Sequence, residues 1–171
     1  MRMRPIVVLC FLLLTGIGAS AQKAPNGSKG AKAPFTMTIS TEHETITSGS
    51  NVIVTIHLTN VSDRLLTFPR SSFGGPDPSY RVEVRNSQGQ AAPYTEDYGK
   101  RLRRESPYDH VVGRSVGYTV GKGETVTEEI EVTKRYDLSA PGQYTIRVFH
   151  PDPVAKVDVE SSNVLILTVT Q

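Results

Sequence analysis

Apolar and polar residues alternate with a period of two along most of this chain. Phe35, Met37 and Ile39 are interleaved with Thr36, Thr38 and Ser40, and Val52, Val54, Ile56 and Leu58 with Ile53, Thr55 and His57. Successive side chains of a strand leave on opposite faces, so each stretch predicts a strand with one buried face. The same reading sets Tyr80, Val82 and Val84 against Arg81, Glu83 and Arg85, and Tyr144, Ile146 and Val148 against Thr145 and Arg147. It also sets Val126, Ile130 and Val132 against Thr127, Glu129 and Glu131, with Glu128 breaking the inward row. A nearly continuous apolar run follows over residues 164–169. No window carries a sustained helical repeat, and β-branched residues with Tyr dominate the periodic segments.

Turn chemistry separates these segments at Asn60-Val61-Ser62-Asp63, Asn86-Ser87-Gln88-Gly89, Gly121-Lys122-Gly123 and Pro141-Gly142. Seven to nine short strands punctuated in this way predict an all-β fold, an antiparallel sandwich. A helical alternative would place Gly and Pro in helix interiors, at about 1 and 3 kcal/mol each relative to Ala. One segment departs from the pattern. Residues 91–113 carry charges, Pro93, Pro107 and the tyrosines Tyr94, Tyr98 and Tyr108 without clear alternation, which predicts a long loop or an irregular edge strand. Long loops in compact domains are often functional, so a site is to be sought there.

The first residues read differently. Arg2 and Arg4 precede an unbroken apolar run over residues 6–14, and small residues follow, ending Ala19-Ser20-Ala21. That is the order of a secretory signal, with cleavage expected near Ala21-Gln22 and a secreted or periplasmic product. The run is too short to span a bilayer core of about 30 Å as a lasting helix, so no membrane span is expected in the mature chain. Cys10 would leave with the signal, and no disulfide could then form. Residues 22–34 lack any large apolar side chain and predict a flexible linker. Residues 35–171 have the length of one domain.

Charge adds an exclusion. The formal charge is +2, but removing Arg2 and Arg4 takes Lys plus Arg from 19 to 17, against 17 Asp plus Glu. A balanced mature chain points to no nucleic-acid partner.

The segment Leu138-Ser139-Ala140-Pro141-Gly142-Gln143-Tyr144 resembles the corner that enters the penultimate strand of immunoglobulin-like and fibronectin-type sandwiches. The resemblance implies that Pro141 and Gly142 form a turn and that the Tyr144 hydroxyl pins the corner to upstream backbone. The order of VIVTIHLTNVSDRLLTF, YRVEVRNSQGQ, VGKGETVTEEIEV and YDLSAPGQYTI is similar to small secreted sandwiches of two kinds. One is the bacterial proteinase-inhibitor type, and the other is the β-domain preceding the catalytic domain of deuterolysin-like zinc peptidases. Deuterolysin-like catalysis needs a His-Glu-x-x-His helix, which the chain lacks, so that activity does not carry over.

Candidate chemistry is sparse. Gly113-Arg114-Ser115-Val116-Gly117 fits the G-x-S-x-G pattern of a hydrolase nucleophile elbow. Tyr118-Thr119-Val120 then continue as a strand rather than a helix, which favours a Gly-softened strand, although Asp137 and His150 lie downstream. His43, His57, His110 and His150 are scattered, unlike the paired spacing of zinc ligands. Lys100-Arg101-Leu102-Arg103-Arg104 forms a basic cluster near Tyr98 and Tyr108, suited to a partner contact but flanked by Glu96, Asp97, Glu105 and Asp109. The candidate contact residues are therefore Tyr98, Arg101, Arg103, Arg104 and Tyr108. Asn26 and Asn60 stand in glycosylation patterns, and Asn60 also has a turn role open to it. The expectation is a non-enzymatic exported module of immunoglobulin-like fold, without cofactor or metal, that binds a protein or carbohydrate. A secreted proteinase inhibitor, or a small hydrolase or metal-dependent enzyme, is the alternative.

Overall fold

Phe35, Met37 and Ile39 are buried and Thr36, Thr38 and Ser40 exposed along β1 (Phe35–Ser40), as a strand with one face on a core requires. β1 pairs antiparallel with β3 (Ile53–Asn60), and β3 with β7 (Thr125–Glu131). A second sheet has the order β2 (Thr45–Thr47), β10 (Leu165–Thr170), β8 (Gly142–Pro151), β5 (Arg81–Asn86), with β9 (Asp158–Glu160) pairing the end of β8. Its pairs are antiparallel except β2 with β10. The structure is a computed structural model describing residues 33–71, 80–103 and 115–171. The expected signal segment with Cys10, Asn26, nearly all of the linker, Arg104, Tyr108 and His110 lie outside the described residues.

The inward rows of the two sheets meet in one core. Val54, Ile56 and Leu58 of β3, Val84 of β5, Ile146 and Val148 of β8 and Leu167 of β10 are all buried in it. The chain is thus an all-β, immunoglobulin-like antiparallel sandwich. The ribbon of β3 and β7 does not end at Asn60. After the turn at residues 61–65 it resumes as β4 (Leu66–Ser71) paired with β6 (Ser115–Val120), Leu66 opposite Val120. β4 carries Phe68 edge-on to Phe35 (ring centroids 5.4 Å) and to His150 (5.2 Å), so the ribbon closes the end where β1 starts and β8 finishes. Gly117 lies within β6 opposite Pro69, so from Ser115 onward the G-x-S-x-G stretch runs as a strand and does not turn into a helix, Gly113 and Arg114 lying outside the described residues.

Residues 91–103 are neither a plain loop nor an edge strand. Ala91 bridges Arg85, Tyr94 bridges Tyr136, and a helix α1 (Glu96–Leu102) follows. The two-residue periodicity does not predict this helix. The outer edges of two strands are covered. On β1, Ile39 N–H donates to Asn163 Oδ1 (2.9 Å), Asn163 Nδ2 donates to Ile39 O (2.7 Å), and Ser162 N–H donates to Met37 O (2.7 Å). On β5, Tyr80 O accepts from Arg135 Nη1 (3.1 Å), Val82 O from the Tyr136 hydroxyl (2.5 Å) and Val84 O from Ala92 N–H (2.9 Å). Side chains and a loop thereby satisfy carbonyls that a neighbouring strand would otherwise take.

Candidate cleft between the helix and the edge strand

α1 has seven residues, too few to be stable alone, since isolated helices below about 12 residues are marginal in water. Local capping and tertiary contacts hold it in place. Thr95 Oγ1 accepts from Tyr98 N–H (3.3 Å) and donates to Lys134 O (3.0 Å), while Thr95 N–H donates to Arg135 O (3.0 Å). Glu96 and Asp97 occupy the first turn and Lys100 and Arg101 the last, an order that complements the helix dipole. Glu96 and Lys100 form an ion pair at 2.6 Å. Its hydrogen bond holds the Glu96 carboxyl below, and the Lys100 ammonium above, their ordinary ranges.

The helix so placed faces the end of β7 across a cleft of about 690 Å³, within the roughly 300–1,000 Å³ typical of ligand sites. Thr95, Asp97, Tyr98 and Arg101 form one wall, and Glu129, Ile130 and Glu131 of β7 form the other. Ile53 and the 3-10 turn over Val132–Lys134 with Arg135 complete it. Three cations and three carboxylates line the cleft, so its own charge is balanced. Some of these charges are already engaged. Lys134 pairs with Glu131 at 2.6 Å, and Arg135 lies 5.9 Å from the Tyr98 ring centroid while donating to Tyr80 O. Arg101, Asp97 and Glu129 have no ion-pair partner among the described residues.

The structure thus brings Tyr98 and Arg101 of the expected contact residues together in one site. Arg103 is elsewhere: it ends the helix, its N–H bonded to Gly99 O (3.1 Å), and it does not line the cleft. The corner residues lie outside the cleft as well. Tyr144 follows Pro141 and Gly142, and its hydroxyl donates to Ala140 O at 2.8 Å. The described histidines remain apart. His43 is exposed beside Glu42 (3.7 Å), His57 bonds Thr127 on an outer face (3.1 Å), and His150 is buried between the rings of Phe35, Phe68 and Tyr80. No group of three or more potential metal ligands occurs among the described residues. Sequence reasoning missed Thr95, Glu129, Lys134 and Arg135. A capping Thr followed by acids and then bases was a readable signal for Thr95, whereas nothing local marks the others.

No protein-family profile matches the chain, and no curated protein matches it. Among solved structures, it is similar to the CARDB domain of a Pyrococcus furiosus protein in a solution structure, at 12% identity and TM-score 0.41 over 80% of this chain and 94% of that one. A crystal structure of the same domain in complex with di-metal ions gives 12% identity and TM-score 0.39, over 79% and 91%. A β-glucosidase from Erythrobacter marinus gives 16% identity and TM-score 0.40, covering 80% of this chain but 15% of the enzyme. None is similar enough to carry an argument about a ligand or a reaction.

Proposed function

We propose that the mature chain is an exported, non-catalytic binding module that holds a protein or carbohydrate ligand in the cleft between α1 and β7. The observation that carries this reading is the meeting of Tyr98 with Arg101, Asp97 and Glu129, which have no ion-pair partner among the described residues, around a cavity of ligand size. A tyrosine ring offers a stacking face for a sugar or an apolar side chain. Arg101 offers a planar fork of donors for a carboxylate, and Asp97 and Glu129 accept from hydroxyl or ammonium groups. With its charges balanced, such a site selects by matched pairs rather than by net field.

The non-catalytic part is supported by separation. Asp137 lies before β8 and His150 near its far end, and a strand of ten residues spans about 30 Å at roughly 3.3 Å per residue. Export is supported by Arg2, Arg4, the apolar run at 6–14 and Ala19-Ser20-Ala21.

The test probes immobilised neutral and acidic polysaccharides and peptides with residues 22–171, alongside Tyr98→Ala and Arg101→Ala. A retained ligand is expected to bind about tenfold more weakly to each variant, the loss of roughly one 1.4 kcal/mol contact. Undiminished binding by the double variant, stoichiometric metal in the purified chain, or labelling of Ser115 by a serine-reactive probe would overturn the reading.

A further inference from the structure

Three consecutive residues of β7, Glu129, Ile130 and Glu131, line the cleft. A site resting on one face of a strand would meet only alternate residues. Ile130 is 1% exposed with its side chain in the core, so it reaches the cleft through its main chain. The cleft therefore opens on the edge of β7 as well as on its face.

The register tells which backbone groups that edge presents. Val132 N–H donates to Val52 O (2.8 Å) and Asn60 N–H to Glu124 O (3.0 Å), so the even-numbered residues of β7 bond to β3. In an antiparallel ladder, alternate residues point their N–H and C=O the other way. Those of Thr125, Thr127, Glu129 and Glu131 thus point outward. β7 is the terminal strand of its sheet, and no strand pairs with its outer edge among the described residues. This contrasts with β1 and β5, whose outer edges are capped by Ser162, Asn163, Arg135, Tyr136 and Ala92.

We infer that the cleft takes an extended polypeptide, which adds to β7 as a further strand and sets a basic side chain beside Glu129. This deepens the proposed function and rests on it. A groove between an edge strand and a helix suits strand addition, with main-chain hydrogen bonds giving affinity and alternate side chains specificity. Charge selects the occupant. Glu131 pairs with Lys134, whereas Glu129 and Asp97, like Arg101 in the same cleft, have no ion-pair partner among the described residues, so a basic side chain finds its match at Glu129. A second copy of β7 paired about Glu129 at the cleft would set like carboxylates opposite each other, which is unfavourable across a strand pair.

The test uses residues 22–171 and a blocked heptapeptide of alternating valine and lysine, with a valine–glutamate counterpart. In the free protein the amides of Thr127, Glu129 and Glu131 should exchange quickly while that of Ile130 exchanges slowly; the lysine peptide should slow all three. Of two lysine peptides N-methylated on alternate amides, one should bind like the parent and the other about tenfold more weakly, since one set of amides faces β7. Equal effects of both methylation patterns, no binding of the lysine peptide, equal binding of the glutamate peptide, or slow exchange of the three amides before addition would overturn strand addition. If another ligand's binding still falls in Tyr98→Ala and Arg101→Ala while these amides stay unprotected, cleft binding stands and strand addition alone fails.

Discussion

Asn60 uses all of its hydrogen-bonding capacity on the chain around it. Its Nδ2 donates to Arg64 O (2.8 Å) and Val120 O (2.9 Å), and its Oδ1 accepts from Ser62 N–H (2.9 Å) and Ser62 Oγ (2.7 Å), in a residue with no exposed surface. This side chain ties the corner where β3 and β7 hand over to β4 and β6. A glycan on Nδ2 has no room and would displace both donations, so native protein from a glycosylating host should carry no added mass at Asn60, read by intact mass and peptide mapping. Asn60→Asp replaces the donating amide with a carboxylate oxygen that faces the two carbonyls as an acceptor, and should lower stability by about 3 kcal/mol, seen as a lower denaturant midpoint at unchanged slope. Tyr136 works by the same logic at the edge of β5. Burial raises its phenol above the usual value near 10, so the folded state favours the neutral donor. Stability from this group is therefore complete below about pH 10 and declines as pH rises further, when the unfolded phenol ionises first. Tyr136→Phe should cost about 1 kcal/mol at neutral pH and flatten that alkaline decline. The two tyrosines also differ in legibility. The hydroxyl of Tyr144 meets Ala140, four residues upstream, within reach of a local motif, whereas Tyr136 meets Val82, 54 residues away, and no neighbouring residue announces it.

At the scale of elements, the strands were readable and the helix was not. β1, β3, β5 and β8 each hold an unbroken inward row, and a period of two needs only four or five residues to declare itself. Seven residues of α1 make about two turns, too few for a helical repeat, and their one buried member is Gly99. What identifies the helix is its ends, Thr95 before Glu96 and Asp97, then Lys100 and Arg101. The short strands β2 and β9 are similarly hidden, because three residues carry no period. Half of the cleft was therefore visible as a basic, Tyr-containing stretch, while its β7 wall was read only as a strand. Thr95→Ala removes both the cap and the bond to Lys134 O, and a lost Thr cap costs about 1 kcal/mol. The expected result is local. The amides of Tyr98 and Gly99 should exchange faster at unchanged exchange of Ile56 and Ile146, and ligand affinity should fall with them. Uniformly faster exchange across the core would show instead that the cap supports the whole domain.

For the molecule as a whole, the question is what the edges of its sheets offer to another chain, a second copy included. Sequence alternation tells which face of each strand is buried, but covering an edge depends on residues distant in the chain, such as Asn163 on Ile39, 124 positions apart. That separation is why edge protection was illegible. Two devices are present. β1 and β5 have carbonyls taken by side chains and loops, whereas no strand pairs with the outer edge of β7 among the described residues, and Glu129 and Glu131 lie along it. Charge on an open edge is a recognised means of preventing strand-to-strand association. Removing it should expose the hazard. Glu129→Val with Glu131→Val leaves β-branched side chains that suit a strand and takes away the repulsion, while the outward N–H and C=O groups remain. Residues 22–171 should sediment as a monomer, and the doubly substituted chain should form dimers or larger species as concentration rises. Glu129→Gln with Glu131→Gln separates the causes, since it removes charge without adding apolar surface. Association of both variants assigns the protection to charge; association of the valine variant alone assigns it to polarity. A valine variant that stays monomeric at every concentration would mean that the β7 edge is closed by something other than its carboxylates, and would count equally against strand addition there.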